Sequence, residues 1–302
     1  MSHFNYIITI HNRELMIRDV LWGILLGAGP GAHIYAVLDG CTDRTEAIID
    51  KLCDYYAHVP LTKVIAPDVH ETLSINAGLE AAQRNGRQLG HGFNVILQDD
   101  VILADRHFES KILHLYEKLG PKLGYVSLRM GCQFAPNVLE EGDRLQIYNL
   151  IESAYGVGMT TEVLWPGEFA YRCLPLKSPV VLPCSVVRDV GIMRPEFAPH
   201  SYDDADLACG AIAAGYFNGV YGIQWYSDMR WGRSRQNTEA SIDAAHRKNA
   251  PLVRQFNPEI LKTLSRPQRT ETVQIIPCTE AERAHAARML ELSRAAVEVA
   301  IG

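Results

Sequence analysis

The stretch GFNVILQDDVILAD, residues 92–105, decides the fold of this chain. A mainly apolar run, Phe93 to Leu97, ends on Gln98 and two adjacent carboxylates, Asp99 and Asp100. A near-continuous apolar run of this length marks a strand buried in a parallel sheet. In open α/β sheets, ligands sit beyond the carboxyl ends of the strands. Two neighbouring acids at that point repel each other unless a cation or a proton intervenes. A hard divalent ion with oxygen ligands, bridging to a phosphorylated substrate, would supply the cation. A solvated turn after the strand, rich in Asp for ordinary turn chemistry, is the other reading.

Upstream, strand and helix patterns alternate. Phe4–Ile10, His33–Leu38 and Leu61–Ala66 have strand character, and Arg13–Leu26, Thr45–Tyr56 and Leu73–Arg84 have helical periodicity. That alternation predicts a parallel sheet with helices on both faces. Downstream the rhythm changes. Helices are predicted over His107–Leu119 and Asp204–Ala214, and strands over Leu123–Arg129, Pro179–Val187 and Gly219–Trp225. Residues 130–180 read as irregular and rich in Gly, Pro and aromatics. A Pro- and Arg-rich linker is expected at about 250–275, then a helix from Thr279 to Val299. Thr279 and Glu282 have the spacing of a capping box. This last helix is expected to serve in packing or in a homodimer. Domain boundaries are expected at 1–235 for a nucleotide-binding α/β domain, and at 236–302 for a linker and C-terminal helical extension.

Composition bounds the function classes. The 302 residues, 47% of them hydrophobic, can bury a large core. A net charge of −6 argues against broad nucleic-acid binding, which needs a basic face. Seven cysteines at irregular spacing, with no Cys-x-x-Cys pair, read as free thiols in a reducing compartment. The first residues turn polar after one short apolar run, so no signal peptide is expected. No run of about 18 apolar residues suggests a transmembrane helix. The expected location is the cytoplasm or a membrane surface facing it. Gly27, Gly29 and Ala32 match the dinucleotide fingerprint G-x-G-x-x-A in letters alone. That motif must follow a strand and open a helix. Here the order is reversed, so a helix-ending turn is predicted.

Five segments together resemble the family 2 glycosyltransferases, whose catalytic fold is called GT-A. In IITIHNR (7–13), Asn12 and Arg13 match, while Ile10 and His11 replace the usual Thr and Tyr. In VLDGCTDRT (37–45), Asp39, Gly40, Thr42, Asp43 and Thr45 match, and Leu38 stands where the family has an aspartate. In LSINAGLEAA (73–82), Asn76, Gly78 and Leu79 match, with Ile75 at the usual basic position. LQDDVIL (97–103) occupies the D-x-D site, with Asp100 as its final acid and Gln98 in place of the first. HSYDDADLACGAIAAGY (200–216) is similar to the family's Y-E-D-x-D-L segment, with Asp203 for Glu and with Asp204, Asp206, Leu207, Gly215 and Tyr216 matching.

The resemblance implies transfer of a sugar from a nucleoside diphosphate to an acceptor hydroxyl, with inversion. Asp100 would hold Mg²⁺ or Mn²⁺, with Asp99 contacting the ion, ribose or sugar. Thr9, His11, Arg13 and Asp39 would form the nucleotide slot, although plain packing at a strand end suits Thr9 and His11 equally. Asp204, with Asp203 beside it, is the expected catalytic base; either could instead cap the helix that it opens. YSDMRWGRSR (226–235) offers Arg230, Arg233 and Arg235 for a diphosphate and Trp231 for a sugar face, or is a solvated loop. Tyr148, Tyr155, Trp165 and Tyr171 fall in an acceptor-side loop region, which names no acceptor: a glycan, a lipid-linked sugar or a small molecule all fit. A non-catalytic sugar-nucleotide-binding or scaffold protein is the alternative, motivated by Leu38, Ile75 and Gln98. A nucleotidyltransferase ranks lower, because IHNREL follows the first strand where a Gly-rich basic loop would be needed.

Overall fold

The alternating pattern of the first hundred residues folds as β1 (His3–Ile10), α1 (Ile17–Gly27), β2 (Ala32–Asp39), α2 (Thr45–Tyr55), β3 (Leu61–Ala66), α3 (His70–Arg84) and β4 (Gly92–Gln98). The computed structural model describes residues 2–55, 58–156, 158–177, 179–227 and 239–301. β1 lies between β2 and β4, parallel to both, and β3 continues parallel beyond β2. Side chains of β1 alternate between two cores. Tyr6, Ile8 and Ile10 join Val20, Leu21 and Ile49 of α1 and α2, whereas Ile7 joins Ile75 and Leu79 of α3. Burial on both faces is why β1 and β4 read as apolar runs rather than as alternating strands. Because α3 returns over the opposite face, the carboxyl ends of β1 and β4 flank a crevice at a topological switch point.

Gly78 explains part of one motif. A Cβ there would lie 2.4 Å from Cγ2 of Ile7 and 3.1 Å from Cγ2 of Val37, so α3 approaches the sheet only because position 78 has no side chain. The GAGPG run is the predicted helix-ending turn: α1 stops at Gly27 and β2 begins at Ala32. The N–H of Gly29 donates to Glu109 at 3.1 Å.

The chain continues through β5 (Val101–Leu103), α4 (Phe108–Leu119), β6 (Leu123–Ser127), β7 (Met130–Phe134), β8 (Ile147–Ser153), β9 (Val163–Leu164), β10 (Glu168–Tyr171), β11 (Leu174–Leu176) and β12 (Val180–Pro183). Then come α5 (Cys184–Val190), a 3-10 turn (Pro195–Phe197), α6 (Asp203–Ala213), β13 (Phe217–Tyr221), β14 (Trp225–Ser227), α7 (Glu239–Phe256), α8 (Pro258–Leu264), β15 (Thr272–Gln274) and α9 (Glu280–Ile301). The main sheet has the order β15-β10-β13-β6-β12-β4-β1-β2-β3; β11-β7-β8-β9 and β14-β5 form two smaller ones. β12 runs antiparallel to both β4 and β6, so the sheet is mixed beyond the parallel block.

Four stretches differ from the sequence reading. The one strand expected over 219–225 is two: β13 ends at Tyr221 in the main sheet, and Trp225 begins β14, which pairs with β5. Residues 130–180 carry the short strands β7 to β11 and the start of β12, joined by loops, where the sequence reading had irregular chain throughout. The partners of these strands are distant or offset by bulges, so no local period marks them. The strand expected over 179–187 stops at Pro183, and Cys184 opens a helix. The expected linker at 250–275 carries the end of α7, all of α8 and β15. Pro258 sits in the first turn of α8, where no N–H is needed. Val253, Leu261 and Leu264 pack into the core shared with α6. α9 opens with the predicted capping box: the Thr279 N–H donates to Glu282 at 2.9 Å, and the Glu282 N–H to the Thr279 hydroxyl at 3.2 Å. Among the described residues, no helix is long and apolar enough to cross a membrane.

Candidate active site

The turns after β1 and β2 are stitched into one ledge. Asn12 adopts a left-handed backbone (φ 52°), which its short polar side chain tolerates. Its Oδ1 accepts from the N–H groups of Thr42 at 2.8 Å and Asp43 at 3.3 Å. The N–H of Arg13 donates to the Thr45 hydroxyl at 2.8 Å, and that of Glu14 to Asp43 at 3.0 Å. His11 spans the ledge. Its Nδ1 lies 2.6 Å from the Asp39 carbonyl, and its Nε2 lies 3.3 Å from Nδ2 of Asn12. This pairing assigns the ring proton to Nδ1. Asp39 is buried, and its Oδ1 accepts from the Val69 N–H at 2.6 Å. Thr9 is half-buried at the end of β1, opposite Gln98.

Asp99 faces this ledge from β4. Its Oδ2 accepts from the His11 N–H at 2.7 Å and its Oδ1 from Nε of Arg13 at 2.9 Å. Burial pushes its carboxyl above the ordinary aspartate value, and Arg13 and the His11 N–H oppose that push. Asp100, 2% exposed, is the next residue along the crevice. β14 ends beside it, since Ser227 pairs with Val101.

The second acidic group opens α6. Ser201 (φ 77°) and Tyr202 (φ 62°) both take left-handed backbone just before it. Such strain persists only where the surroundings over-determine it. Asn249 of α7 does so by donating to the carbonyls of Phe197, His200 and Ser201 at 2.8–2.9 Å. The N–H of Thr72, from α3, holds the Pro199 carbonyl at 3.2 Å. Tyr202 occupies the N-cap position and makes no capping bond through its side chain.

The three acids of this segment have different surroundings. Asp203 is fully buried; its Oδ2 meets Nζ of Lys177 at 2.5 Å and the Thr72 hydroxyl at 2.9 Å. Asp206 is tied to Nε of Arg194 at 2.9 Å and to Nδ2 of Asn257 at 2.7 Å, which anchors α8. Among the described residues, Asp204 accepts only from backbone N–H groups, those of Lys177 at 3.3 Å and Ala205 at 2.9 Å. Its carboxyl is pushed up to about 6, first by burial and then by the charge of Asp203.

Cations and a bridge join the two groups. Arg129, between β6 and β7, lies within electrostatic reach of Glu152, Asp100, Asp204 and Glu71. Burial lowers its tendency to stay protonated, and those four acids oppose that effect without cancelling it. Nζ of Lys177 also meets Glu71 at 3.3 Å, and Nε2 of Gln98 meets the other oxygen of Glu71 at 2.5 Å.

The structure therefore places Thr9, His11, Arg13, Asp39, Asp99 and Asp100 at one carboxyl end of the sheet, and Asp203 and Asp204 across from them. Arg230, Trp231, Arg233 and Arg235 lie outside the described residues. Of the region's aromatics, Tyr155 packs toward Tyr226 and His285, Tyr171 lies under Arg269 and Trp165 under Arg283, while Tyr148 is exposed. Among the described residues, no three His, Cys, Asp or Glu side chains are grouped to hold a metal ion by themselves. Sequence reading missed Glu71, Thr72, Arg129, Lys177 and Asn249. None of them left a signal: Asn249, for one, ends the polar run His246 to Asn249 and looks like an exposed helix residue.

No family model and no curated protein matches the chain. Solved structures do. S. aureus TarS 1–349 in complex with UDP-GlcNAc matches with a TM-score of 0.53 at 14% identity, over 84% of this chain and 71% of that one. TarS itself gives 0.52 at 13% identity, over 75% of this chain and 36% of that one. TarS 1–349 in complex with UDP gives 0.50 at 15% identity, over 75% and 60%. The chain thus spans about a third of the length of TarS (36%). The parallel order β3-β2-β1-β4, the mixed half beyond it and these likenesses together show that the chain has the GT-A type α/β fold that its motifs resemble.

Proposed function

We propose that this protein is a nucleotide-sugar-dependent glycosyltransferase that moves a sugar from a nucleoside-diphosphate sugar to an acceptor hydroxyl, with inversion. One observation carries the reading: Asp100 and Asp204, distant in sequence, lie within electrostatic reach of the same Arg129. Glycosyl transfer makes two charge demands that suit such a pair. The departing diphosphate gathers negative charge, and the acceptor hydroxyl gives up a proton.

Thr9, His11, Arg13 and Asp39 form the slot for base and ribose, held rigid by the stitching of the ledge. Both oxygens of Asp99 already accept hydrogen bonds, so Asp99 orients Arg13 and the ledge. Asp100 would then be the residue that holds Mg²⁺ or Mn²⁺ next to the substrate's diphosphate. A single hard carboxylate beside a phosphate slot fits such an ion, which commonly keeps only one or two protein ligands. When bound, that ion neutralises charge on the leaving diphosphate. Arg129 adds a second, fixed positive charge.

Asp204 takes the acceptor proton. A carboxyl that titrates near 6 is ionised at neutral pH yet basic enough to share a proton in the transition state. Asp203, fully buried against Lys177, positions α6 instead of touching substrate. A base on the acceptor side of the sugar supports one in-line displacement, hence inversion.

The test is a thermal-shift screen of nucleoside diphosphates and their sugars, with and without Mn²⁺, followed by a hydrolysis assay with each binder. Binding with metal-dependent turnover is expected. No stabilisation by any nucleotide at millimolar concentration sinks the reading. A sugar-nucleotide-binding protein without turnover is the second reading, favoured by Gln98, whose amide is engaged with Glu71 where the D-x-D pattern has an acid. Binding with no transfer to any of a broad panel of acceptors would establish it.

A further inference from the structure

We propose that Lys177 is a positioning residue for Asp204: its ammonium neutralises Asp203 and Glu71, and its backbone N–H holds the Asp204 carboxylate in place. The inference rests on the reading of Asp204 as the proton acceptor. It stands on the geometry of one buried cluster. The Lys177 side chain is 8% exposed and the Asp203 side chain 0%, with 2.5 Å between Nζ and Oδ2. Among the described residues, Oδ1 of Asp203 has no hydrogen-bond partner, so the ammonium is what chiefly offsets this buried carboxylate. Glu71 is held on both oxygens, by Lys177 and by Gln98, so the lysine also ties the end of β4 to the start of α6.

Other charged or titratable groups face the cluster from neighbouring elements: Tyr125 of β6, Arg129 after it, and His200 in the loop before α6. The Tyr125 hydroxyl is held neutral by burial and by the acids around it, and burial likewise disfavours the charged form of His200. Neither offsets the charge of Asp203. Arg129 lies within electrostatic reach of Asp204, Asp100 and Glu71. Without Lys177, two adjacent buried acids would share a site, and like charges in one site drive a pKa up. Asp204 would then carry a proton at the pH where it must accept one.

The test reads the carboxyl itself, independently of turnover. Full-length protein labelled with ¹³C at aspartate carboxyls is titrated by NMR, with Asp204→Asn assigning the resonance. Lys177→Gln should raise the Asp204 midpoint by about 1–3 pH units, and Lys177→Arg should restore it. Adding Asp203→Asn to Lys177→Gln should bring the midpoint back down, because the uncompensated charge is gone. Should Lys177→Gln fail to fold, the pair Asp203→Asn and Asp203→Asn/Lys177→Gln carries the test. The lysine's remaining attraction should keep the midpoint lower in the single variant. Equal midpoints with and without Lys177, in either background, overturn the proposal. A midpoint that moves as expected in a protein with no turnover at any pH keeps the charge pairing. In that case the glycosyltransferase reading falls instead.

Discussion

The two acidic ends of the cleft hold their carboxylates in opposite ways. Asp99, after β4, has both oxygens fastened, one by the Arg13 guanidinium and one by a backbone N–H. Asp204, at the start of α6, accepts among the described residues from backbone N–H groups alone, while the cation beside it is spent on Asp203. The first arrangement makes a rigid surface whose oxygens are both already engaged by donors. The second leaves a carboxyl whose protonation is free to change. A slot that reads a nucleotide needs the first; a group that takes a proton needs the second.

The sharpest way to break this contrast is Asp204→Asn. It should cost about 10²–10⁴-fold in turnover, the usual worth of a general base. Nucleotide-induced stabilisation should survive, measured by thermal shift on the same sample. If turnover persists, the base lies elsewhere. Arg13→Met attacks the other end. Removing one partner of a buried pair costs about 3–5 kcal/mol, so denaturant unfolding should show a large loss of stability. Survival at wild-type stability would mean that Asp99 is not braced as described. Asp100→Ala should abolish only the metal-dependent part of nucleotide stabilisation, which for a ligand at a hundred times its Kd is about 2.7 kcal/mol. An unchanged Mn²⁺ effect in that variant would move the metal off Asp100.

Gly78→Ala tests how tightly the ledge is supported from below. Its methyl would press on Ile7, and overpacking of this kind costs about 1–3 kcal/mol. The loss should appear in the unfolding midpoint, with the acid limb of the pH profile unmoved. That limb is the finest test. Turnover should fall as pH drops through about 6, where Asp204 gains its proton. Stability should run the other way. The folded-state pKa lies above the ordinary 3.8, so the contribution of Asp204 is full below 3.8 and is lost as pH rises through about 6. Wild type should therefore lose ground to Asp204→Asn across that window. A difference between the two that does not vary with pH would show the carboxyl to be unperturbed.

Much of the parallel half was legible in the chain. Alternating periodicity located the four parallel strands and the helices between them. Asn12, Asp43 and Thr45 carry turn chemistry that works over a few residues, and the structure uses them to stitch neighbouring loops. Gly78 and Asn76 matched a motif, and their reasons are local close approach and a reciprocal clamp on Met193. The mixed half was harder. Its strands are short, their partners lie far along the chain, and a proline at the first turn of a helix mimicked a linker.

By itself, then, the sequence determined the parallel block, the crevice at its carboxyl ends, and the positions where acids close β4 and open α6. These follow from spacings of two to four residues, which a linear chain displays directly. Only the tertiary structure decided which of those acids is neutralised and which is left to titrate. Glu71, Arg129, Lys177 and Asn249 belong to no motif, and they meet the acids through space. Charge compensation depends on ångström separations inside a low-dielectric interior, and those exist only once distant segments have packed.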